Sequence, residues 1–433
     1  MTFAETLSDK ERRKGRIYAC CACLFGCVSE VMLDSSAIII IFFSMINAGD
    51  MLTMFSTSIT PILGLLLFIP SSAINNYFGR KKVVHYSCIT GCIGFLLMAS
   101  APFFGAPGKY IALLGCAVYC VQRSTYGAAW YPLLDVFLRP QDRARFFGTM
   151  RFIYTCFTGT MFFVIGLVLQ KDVSIWILQS VIAIAGLLML GRDFCISRFP
   201  DNPDAKPETA NIYSGLCTAM KNGSLTAYSV YVSLLSIALT SILPLTYLYL
   251  SSYVKMNKGT VQIISSVAIG GMVVGHFCYG RVFDGIKLKY LELLAHGLFT
   301  LTVWVLFFMD KSMPLFPVII GATVFLQAFA NSVYQSNNSA ELLTLPRPGN
   351  KTMAMAFVQT YSSLGGAIGR VVVSVILGSA MLAPVWDFNG RQVSHFQTLF
   401  LASGVMLLVL FFILPTLPSF VSRSEDDDSV IKK

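Results

Sequence analysis

Apolar segments long enough to cross a lipid bilayer recur twelve times along the 433 residues of the chain. A membrane-spanning helix needs about 20 predominantly apolar residues, and each segment reaches that length. The predicted spans are 17–46, 52–75, 84–103, 110–137, 147–170, 173–194, 225–253, 259–280, 290–309, 313–341, 353–383 and 396–418. This pattern predicts an all-α, polytopic membrane protein with twelve transmembrane helices.

The composition excludes several other classes of protein. Charged residues make up 12% of the chain and apolar residues 55%, whereas soluble domains carry about 25% charged residues. The chain therefore has too little charge to cover the surface of a water-soluble enzyme of this length. A disordered or fibrous chain is excluded for the same reason.

One long polar segment divides the twelve spans into two sets of six. Residues 195–224 are rich in Pro, Asn, Asp and Lys, which is typical of a linker between domains. The predicted domains are an N-terminal six-helix bundle (1–194), a cytoplasmic linker (195–224), a C-terminal six-helix bundle (225–418) and a cytoplasmic tail (419–433). Six helices followed by six indicate two homologous halves.

The net charge of +10 is a topology signal, because most of the 32 Lys and Arg residues lie on the same side of the membrane as the N-terminus. Cytoplasmic loops retain an excess of Lys and Arg, so both termini are predicted to be cytoplasmic, in a cytoplasmic (inner or plasma) membrane. No nucleic-acid partner is expected, since no module combines basic and aromatic residues. The polar start of the chain predicts that the first span is retained rather than cleaved as a signal peptide.

The loop after the second span carries a recognisable motif, SAINNYFGRKK at 72–82. It resembles the signature loop of the major facilitator superfamily, Gly-x-x-x-Asp-Arg-x-Gly-Arg-Lys-Lys. Gly79, Arg80 and Lys81 match that pattern, and Asn76 stands where the family has its Asp. The resemblance implies that this loop changes conformation during transport, and Asn76 implies that its usual acidic lock is either weakened or made by a neutral hydrogen bond.

Two further matches lie at the expected helix boundaries. A fainter copy of the loop, GRVFDGIKLK at 280–289, keeps Gly280 and Asp284, and Arg123 with Gly127 matches the Arg-x-x-x-Gly motif of the fourth helix. The resemblance covers nearly the whole chain. It implies a secondary transporter built from two pseudo-symmetric six-helix bundles around a central cavity that opens alternately to either side.

Four ionisable side chains stand well inside predicted spans: Glu30, Asp34, Arg123 and Arg370. Each costs at least about 2.5 kcal/mol at the centre of a bilayer, so each needs a partner or a role. Glu30 and Asp34 are one helical turn apart and share a face. Two carboxylates this close do not both ionise cheaply in a low dielectric, so one is expected to be protonated and the other to need a cation.

Arg123 is the predicted cation, because the family resemblance implies that the first and fourth helices line the same cavity. We expect Asp34 to pair with Arg123 and Glu30 to carry the coupling proton, although the two acids are interchangeable on this evidence. The alternative is a static buried network that only holds the helices together.

Arg370 either pairs with the first helix or holds an anionic substrate, and Gly365 and Gly369 beside it predict close approach of another helix.

Polar residues at helical spacing mark faces turned away from lipid, where unpaired amides would be costly. Amides bind hydroxyl groups in both directions, and aromatic rings cover apolar patches of a sugar, so these faces predict a wet cavity; the alternative is hydrogen bonding between helices. The predicted substrate-binding residues are Tyr119, Gln122, Tyr126, Trp130, Tyr231, Tyr247, Gln327, Asn331, Tyr334, Gln359 and Arg370.

These features predict proton-coupled symport of a small hydrophilic solute, such as a sugar, a polyol or a sugar acid, by a monomer in the lipid bilayer. A drug–proton antiporter is the alternative, disfavoured because the fifth span lacks a Gly-Pro pair; a non-transporting membrane sensor is a further one. No catalytic constellation indicates an enzyme. No cofactor or metal is expected, since the cysteines of the first span have no accompanying His or Met stripe.

Overall fold

The computed structural model describes residues 3–134, 136–139, 142–171, 174–200, 212–283, 286–344, 351–379 and 381–416. The predicted all-α class is confirmed. In chain order the helices are α1 (Phe3–Thr6), α2 (Asp9–Asp34), α3 (Ile38–Met45), α4 (Gly49–Phe78), α5 (Arg80–Ser100), α6 (Gly108–Leu134), α7 (Arg143–Lys171), α8 (Ile175–Ser197), α9 (Ile212–Met220), α10 (Gly223–Leu239), α11 (Ile242–Leu248), α12 (Lys258–Arg281), α13 (Leu288–Phe308), α14 (Phe316–Thr344), α15 (Lys351–Gly378) and α16 (His395–Ile413).

Within the described residues, eleven helical segments are long and apolar enough to cross a membrane. The remaining predicted span corresponds to α6, which has the length of a membrane helix. Its polar run QRSTYG at 122–127 lowers its hydropathy. The structure therefore agrees with the predicted count of about twelve membrane helices.

The chain divides into two compact units. The first comprises Met1–Thr209 with Leu250–Gly270, and the second comprises Ala210–Tyr249 with Gly271–Lys433. In the first unit, α2 packs against α7 and α8, and α5 lies against α6 and α8. In the second unit, α10 packs against α15, and α13 packs against α14 and α16.

Two glycines set the distance between α10 and α15. A Cβ atom at Gly365 would lie 2.0 Å from the carbonyl oxygen of Ser233, and one at Gly369 would lie 2.3 Å from that of Ile237. Both separations are far inside van der Waals contact, so only glycine permits this approach. The close helix packing predicted at these glycines is confirmed.

Two of the long apolar segments are broken rather than continuous. In the first, α2 ends at Asp34 and α3 begins at Ile38, whose backbone N–H donates to Ser36 Oγ over 3.0 Å. In the seventh, α10 ends before Thr240, and Pro244 lies within α11. Proline has no N–H, so the carbonyl group of Thr240 loses its usual helical donor.

A small β-hairpin precedes α16, where the sequence analysis had no regular element. Strands β1 (Val385–Phe388) and β2 (Arg391–Ser394) pair antiparallel. Asn389 and Gly390 connect them with positive φ angles of 54° and 80°, as a tight type I′ turn requires. Helix α9 likewise lies in the segment that was predicted only as a polar linker.

Candidate functional site

Helix α2 presents its two carboxylates to arginines on two different helices. Glu30 Oε1 lies 2.6 Å from Arg192 Nη1 on α8, and Asp34 forms an ion pair with Arg123 on α6. The four-residue spacing places both acids on one face of α2. The first unit therefore contains two acid–arginine pairs, one helical turn apart along α2.

Arg192 is fully buried, with none of its side chain exposed, while 27% of the Glu30 side chain is exposed. Arg192 Nε donates to the carbonyl oxygen of Ala22 over 3.2 Å, and Arg192 Cζ lies 4.1 Å from the ring centre of Tyr126. This distance is typical of a cation–π contact. Among the described residues, its Nη2 has no hydrogen-bond partner. Arg192 is thus held firmly and retains one free donor group.

The space for this guanidinium comes from a glycine. A Cβ atom built on Gly26 of α2 would lie 1.6 Å from both Cζ and Nε of Arg192. No side chain larger than hydrogen fits at this position unless the arginine moves. Gly26 therefore lets α8 place a charged group against the backbone of α2.

A cavity of about 190 Å³ opens beside the Glu30–Arg192 pair. Its size suits a small organic solute or several water molecules. Its walls combine charged groups, aromatic rings and sulfur atoms. The lining residues are Cys23, Cys27, Glu30, Tyr126, Trp130, Phe147, Met150, Arg151, Tyr154 and Arg192.

Sulfur groups cover the α2 side of this cavity. Cys23 Sγ lies 3.4 Å from Met150 Sδ, and Cys27 Sγ lies 3.9 Å from Glu30 Oε2. Within the described residues, no group of three or more His, Cys, Asp or Glu side chains is arranged to hold a metal ion.

The Asp34–Arg123 pair that the sequence analysis expected is present. The side chains are 28% and 32% exposed, respectively, so solvent reaches both partners. The structure adds an arginine that the sequence analysis did not single out, because Arg192 was placed at the end of a span rather than inside it. Arg192 is thus a fifth charged side chain to be considered together with Glu30, Asp34, Arg123 and Arg370. The sequence did contain a signal for it. The N-terminal spans offered two acids well inside them, Glu30 and Asp34, but only one such arginine, Arg123, so a second cation was missing.

The aromatic and amide residues predicted on the fourth span separate into two groups. Tyr126 and Trp130 line the cavity, with ring centres 5.2 Å apart. Tyr119 and Gln122 are fully buried against α5, where Tyr119 meets Phe95 edge to face and Gln122 packs over Gly91. The first group contacts the cavity, whereas the second fills the contact between α5 and α6.

The predicted residues of the second unit also differ in surroundings. Rings of Tyr231 and Tyr334 each lie 5.8 Å from the ring of His296. Gln327 accepts a hydrogen bond from Thr302, which joins α14 to α13. Tyr247 is buried, Asn331 is half-buried and Gln359 is exposed. The structure thus brings Tyr231 and Tyr334 together and leaves their part in substrate binding a prediction.

Arg370 is buried and bonded within its own unit. Its Nε donates to the carbonyl oxygen of Thr240 over 3.2 Å. This is the carbonyl group that Pro244 leaves without a helical donor, so the arginine replaces a missing backbone hydrogen bond. Its predicted contact with an anionic substrate stays a prediction.

The fold was compared with known proteins. Neither a protein-family model nor a curated protein sequence matches the chain. Several solved structures match it in fold. A D-xylose–proton symporter matches with a TM-score of 0.72 at 12% identity, over 94% of this chain and 98% of that one. The nucleoside transporter NupG matches with a TM-score of 0.67 at 15% identity, over 94% and 98% of the two chains.

A third solved structure, a bacterial homologue of the iron transporter ferroportin in its outward-facing state, matches with a TM-score of 0.63 at 11% identity, over 93% of this chain and 99% of that one. The chain has the fold of the major facilitator superfamily. The superfamily fold and the eleven apolar segments together make it a multi-pass membrane protein.

The motif at 72–82, which resembles the superfamily loop, lies where α4 ends and α5 begins. Gly79 has φ 88° and ψ 129°, a backbone conformation that favours glycine. Arg80 begins α5, and Lys81 Nζ donates to the carbonyl oxygen of Phe199, just beyond the end of α8, over 2.7 Å. A cation is favourable at a helix C-terminus. The other two predicted loop residues, Asp284 and the side chain of Asn76, lie outside the described residues.

Proposed function

We propose that the protein is a secondary transporter that couples movement of a small hydrophilic solute to protons by alternating access, with Glu30 as the proton-binding residue. The observation that carries this proposal is the pairing of a fully buried arginine with a carboxylate that reaches a cavity. The proton and the solute then meet the protein at the same place.

The pairing supplies a physical reason for coupling. A buried cation without a counterion is strongly unfavourable, since breaking a buried pair costs about 3–5 kcal/mol. Protonation of Glu30 removes the negative charge that Arg192 needs. The protein must then rearrange or accept another anion, and either response links proton binding to the state of the cavity.

Several groups face Glu30. Arg192 contacts one oxygen of the carboxylate, and Cys27 lies against the other oxygen. Arg151, Tyr126 and Tyr154 line the same cavity. Asp34 lies one turn away but has Arg123 as its own partner, which leaves Glu30 as the acid in direct contact with the cavity.

The names of the solved neighbours support a small hydrophilic solute, since they describe carriers of D-xylose and of nucleosides. The test uses purified protein in liposomes with D-xylose, uridine and D-glucuronate as labelled probes. An inward proton gradient is expected to drive at least one probe above its equilibrium concentration. Uptake that is the same with and without the gradient would contradict proton coupling.

The variant Glu30→Gln is expected to abolish the effect of the gradient and to retain exchange of labelled for unlabelled solute. The matched control is Asp142→Asn, a half-buried acid between α6 and α7, which should retain gradient-driven uptake. Gradient-driven uptake by Glu30→Gln at the wild-type level would remove Glu30 from the coupling role.

A further inference from the structure

We infer that the cavity beside α2 binds a small monocarboxylate, whose carboxylate group contacts Arg151 and whose body packs on aromatic rings. This inference rests on the proposed transport function and narrows its solute to an anion. It also assigns anion binding to the first unit, whereas the sequence analysis gave Arg370 as one of two alternatives: anion binding or a pair with the first helix.

The charges of the cavity favour one added anion. Its lining contains two arginines, Arg151 and Arg192, and one acid, Glu30. Within the described residues, Glu30 is the only carboxylate in ion-pair contact with Arg192, and Arg151 has no carboxylate partner. The lining therefore carries one more positive than negative charge, which a monocarboxylate balances.

The exposure of the two arginines indicates where that carboxylate lies. Arg192 has none of its side chain exposed: Nη1 contacts Glu30, Nε donates to the carbonyl group of Ala22, and the guanidinium packs against Gly26. Arg151 is half-buried in the same lining. A planar guanidinium binds a carboxylate through paired N–H donors, so Arg151 is the arginine that an anion in the cavity contacts.

The uncharged lining residues indicate what kind of solute the cavity fits beyond its carboxylate group. Tyr126, Trp130, Phe147 and Tyr154 bring four aromatic rings to the lining. Aromatic rings pack on flat or ring-shaped solutes through stacking and edge contacts. The predicted amide residues Gln327 and Asn331 belong to the other unit. The cavity thus fits a carboxylate on a ring better than a fully hydroxylated neutral sugar.

Equilibrium binding to the purified protein tests the inference with matched probes. Benzoate is compared with benzamide, and D-glucuronate with D-glucuronamide, by calorimetry and by intrinsic tryptophan fluorescence. In at least one pair, the acid is expected to bind about ten- to a hundredfold more tightly than its amide, the range for hydrogen bonds to charged groups. Equal binding of acid and amide in both pairs, or no binding of any probe, would overturn the inference.

Variants assign the preference to the cavity. Arg151→Gln is expected to reduce the preference for the acid at least about tenfold, and Arg198→Gln, an exposed arginine stacked on Phe194 at the end of α8, is the control that should retain it. Arg151→Lys is the second variant, which keeps the charge but loses the paired donors, and it should lower the preference less than Arg151→Gln does. Unchanged acid preference in Arg151→Gln would overturn the inference.

The outcomes separate this inference from the proposed function. Preferential binding of an acid without any effect of a proton gradient on uptake would support the anion site and refute coupling. Gradient-driven uptake of D-xylose or uridine, with no preference for either acid, would support coupling and refute the anion site.

Discussion

The guanidinium of Arg192 lies in the space that a side chain at Gly26 would fill. This relationship between α8 and α2 holds a charged group beside the candidate cavity without exposing it. It also makes the charge pair with Glu30 dependent on a residue that carries no functional group.

Gly26→Ala is expected to displace Arg192 and to weaken its contact with Glu30. Overpacking of a buried site costs about 1–3 kcal/mol, so the melting temperature in detergent should fall and gradient-driven uptake should be lost. The control is Gly148→Ala on α7, where a Cβ atom meets nothing within 4 Å. That variant should be neutral or slightly stabilising, because alanine favours helix. Wild-type stability and uptake of Gly26→Ala would contradict the packing described here.

The Asp34–Arg123 pair is expected to show energetic coupling. In a double-mutant cycle of Asp34→Asn and Arg123→Gln, the two single variants should lose more stability in sum than the double variant, by about 0.5–3 kcal/mol. The comparison cycle is His85→Gln with Asp193→Asn, whose contact of 2.7 Å includes a half-exposed histidine. Exposed pairs contribute about 0–1 kcal/mol, so this second cycle should give the smaller coupling. Additive losses at Asp34 and Arg123 would show that the pair does not stabilise the fold.

Pro244 and Arg370 are expected to be coupled through the carbonyl group of Thr240. Pro244→Ala restores a backbone N–H that competes for this carbonyl, so Arg370→Gln should cost less stability in that background than in the wild type. Pro61→Ala, in α4, serves as the control background and should leave the cost of Arg370→Gln unchanged. The measurement is the melting temperature of the wild type, the three single variants and the two double variants, and equal costs in all backgrounds would argue against the coupling.

Gly79 is expected to be intolerant of substitution for a backbone reason. Its φ of 88° with ψ of 129° is strained for any residue with a side chain, at a cost of about 1–3 kcal/mol. Nothing lies within 4 Å of a Cβ atom there, so Gly79→Ala tests backbone conformation without steric overlap. Gly223→Ala has equal space and no positive φ, and it should melt near the wild-type temperature. A similar result for Gly79→Ala would show that the loop relaxes freely.

Hydrophobic patterning predicted the helical class and nearly all the membrane helices, because lipid imposes the same length on each span. The Asp34–Arg123 pair was predicted from two isolated opposite charges in apolar helices together with the family resemblance, which implies that the first and fourth helices line the same cavity. The hairpin was not predicted, although its Asn389-Gly390 turn is a strong local signal. It lies between two long apolar segments, and hydrophobic patterning gives only the ends of those segments.

The role of Arg192 could not be predicted from patterning alone. Apolar runs locate the ends of a span only to within a few residues, and Arg192 lies five residues before the end of α8. Its burial depends on Gly26 in a distant part of the chain. The contact between these two residues is a property of tertiary packing and leaves no periodic trace in either helix.

The two charge pairs also bear on how the polypeptide is assembled during translation. Helix α2 emerges first, with Glu30 and Asp34, while the arginines that neutralise them belong to α6 and α8 and are synthesised later. Until α6 and α8 are inserted, the two acids of α2 must be protonated, hydrated or shielded by the insertion machinery. The contact between Glu30 and Arg192 therefore forms only after α8 has been inserted, which makes insertion of that later helix a required step in the assembly of the first unit.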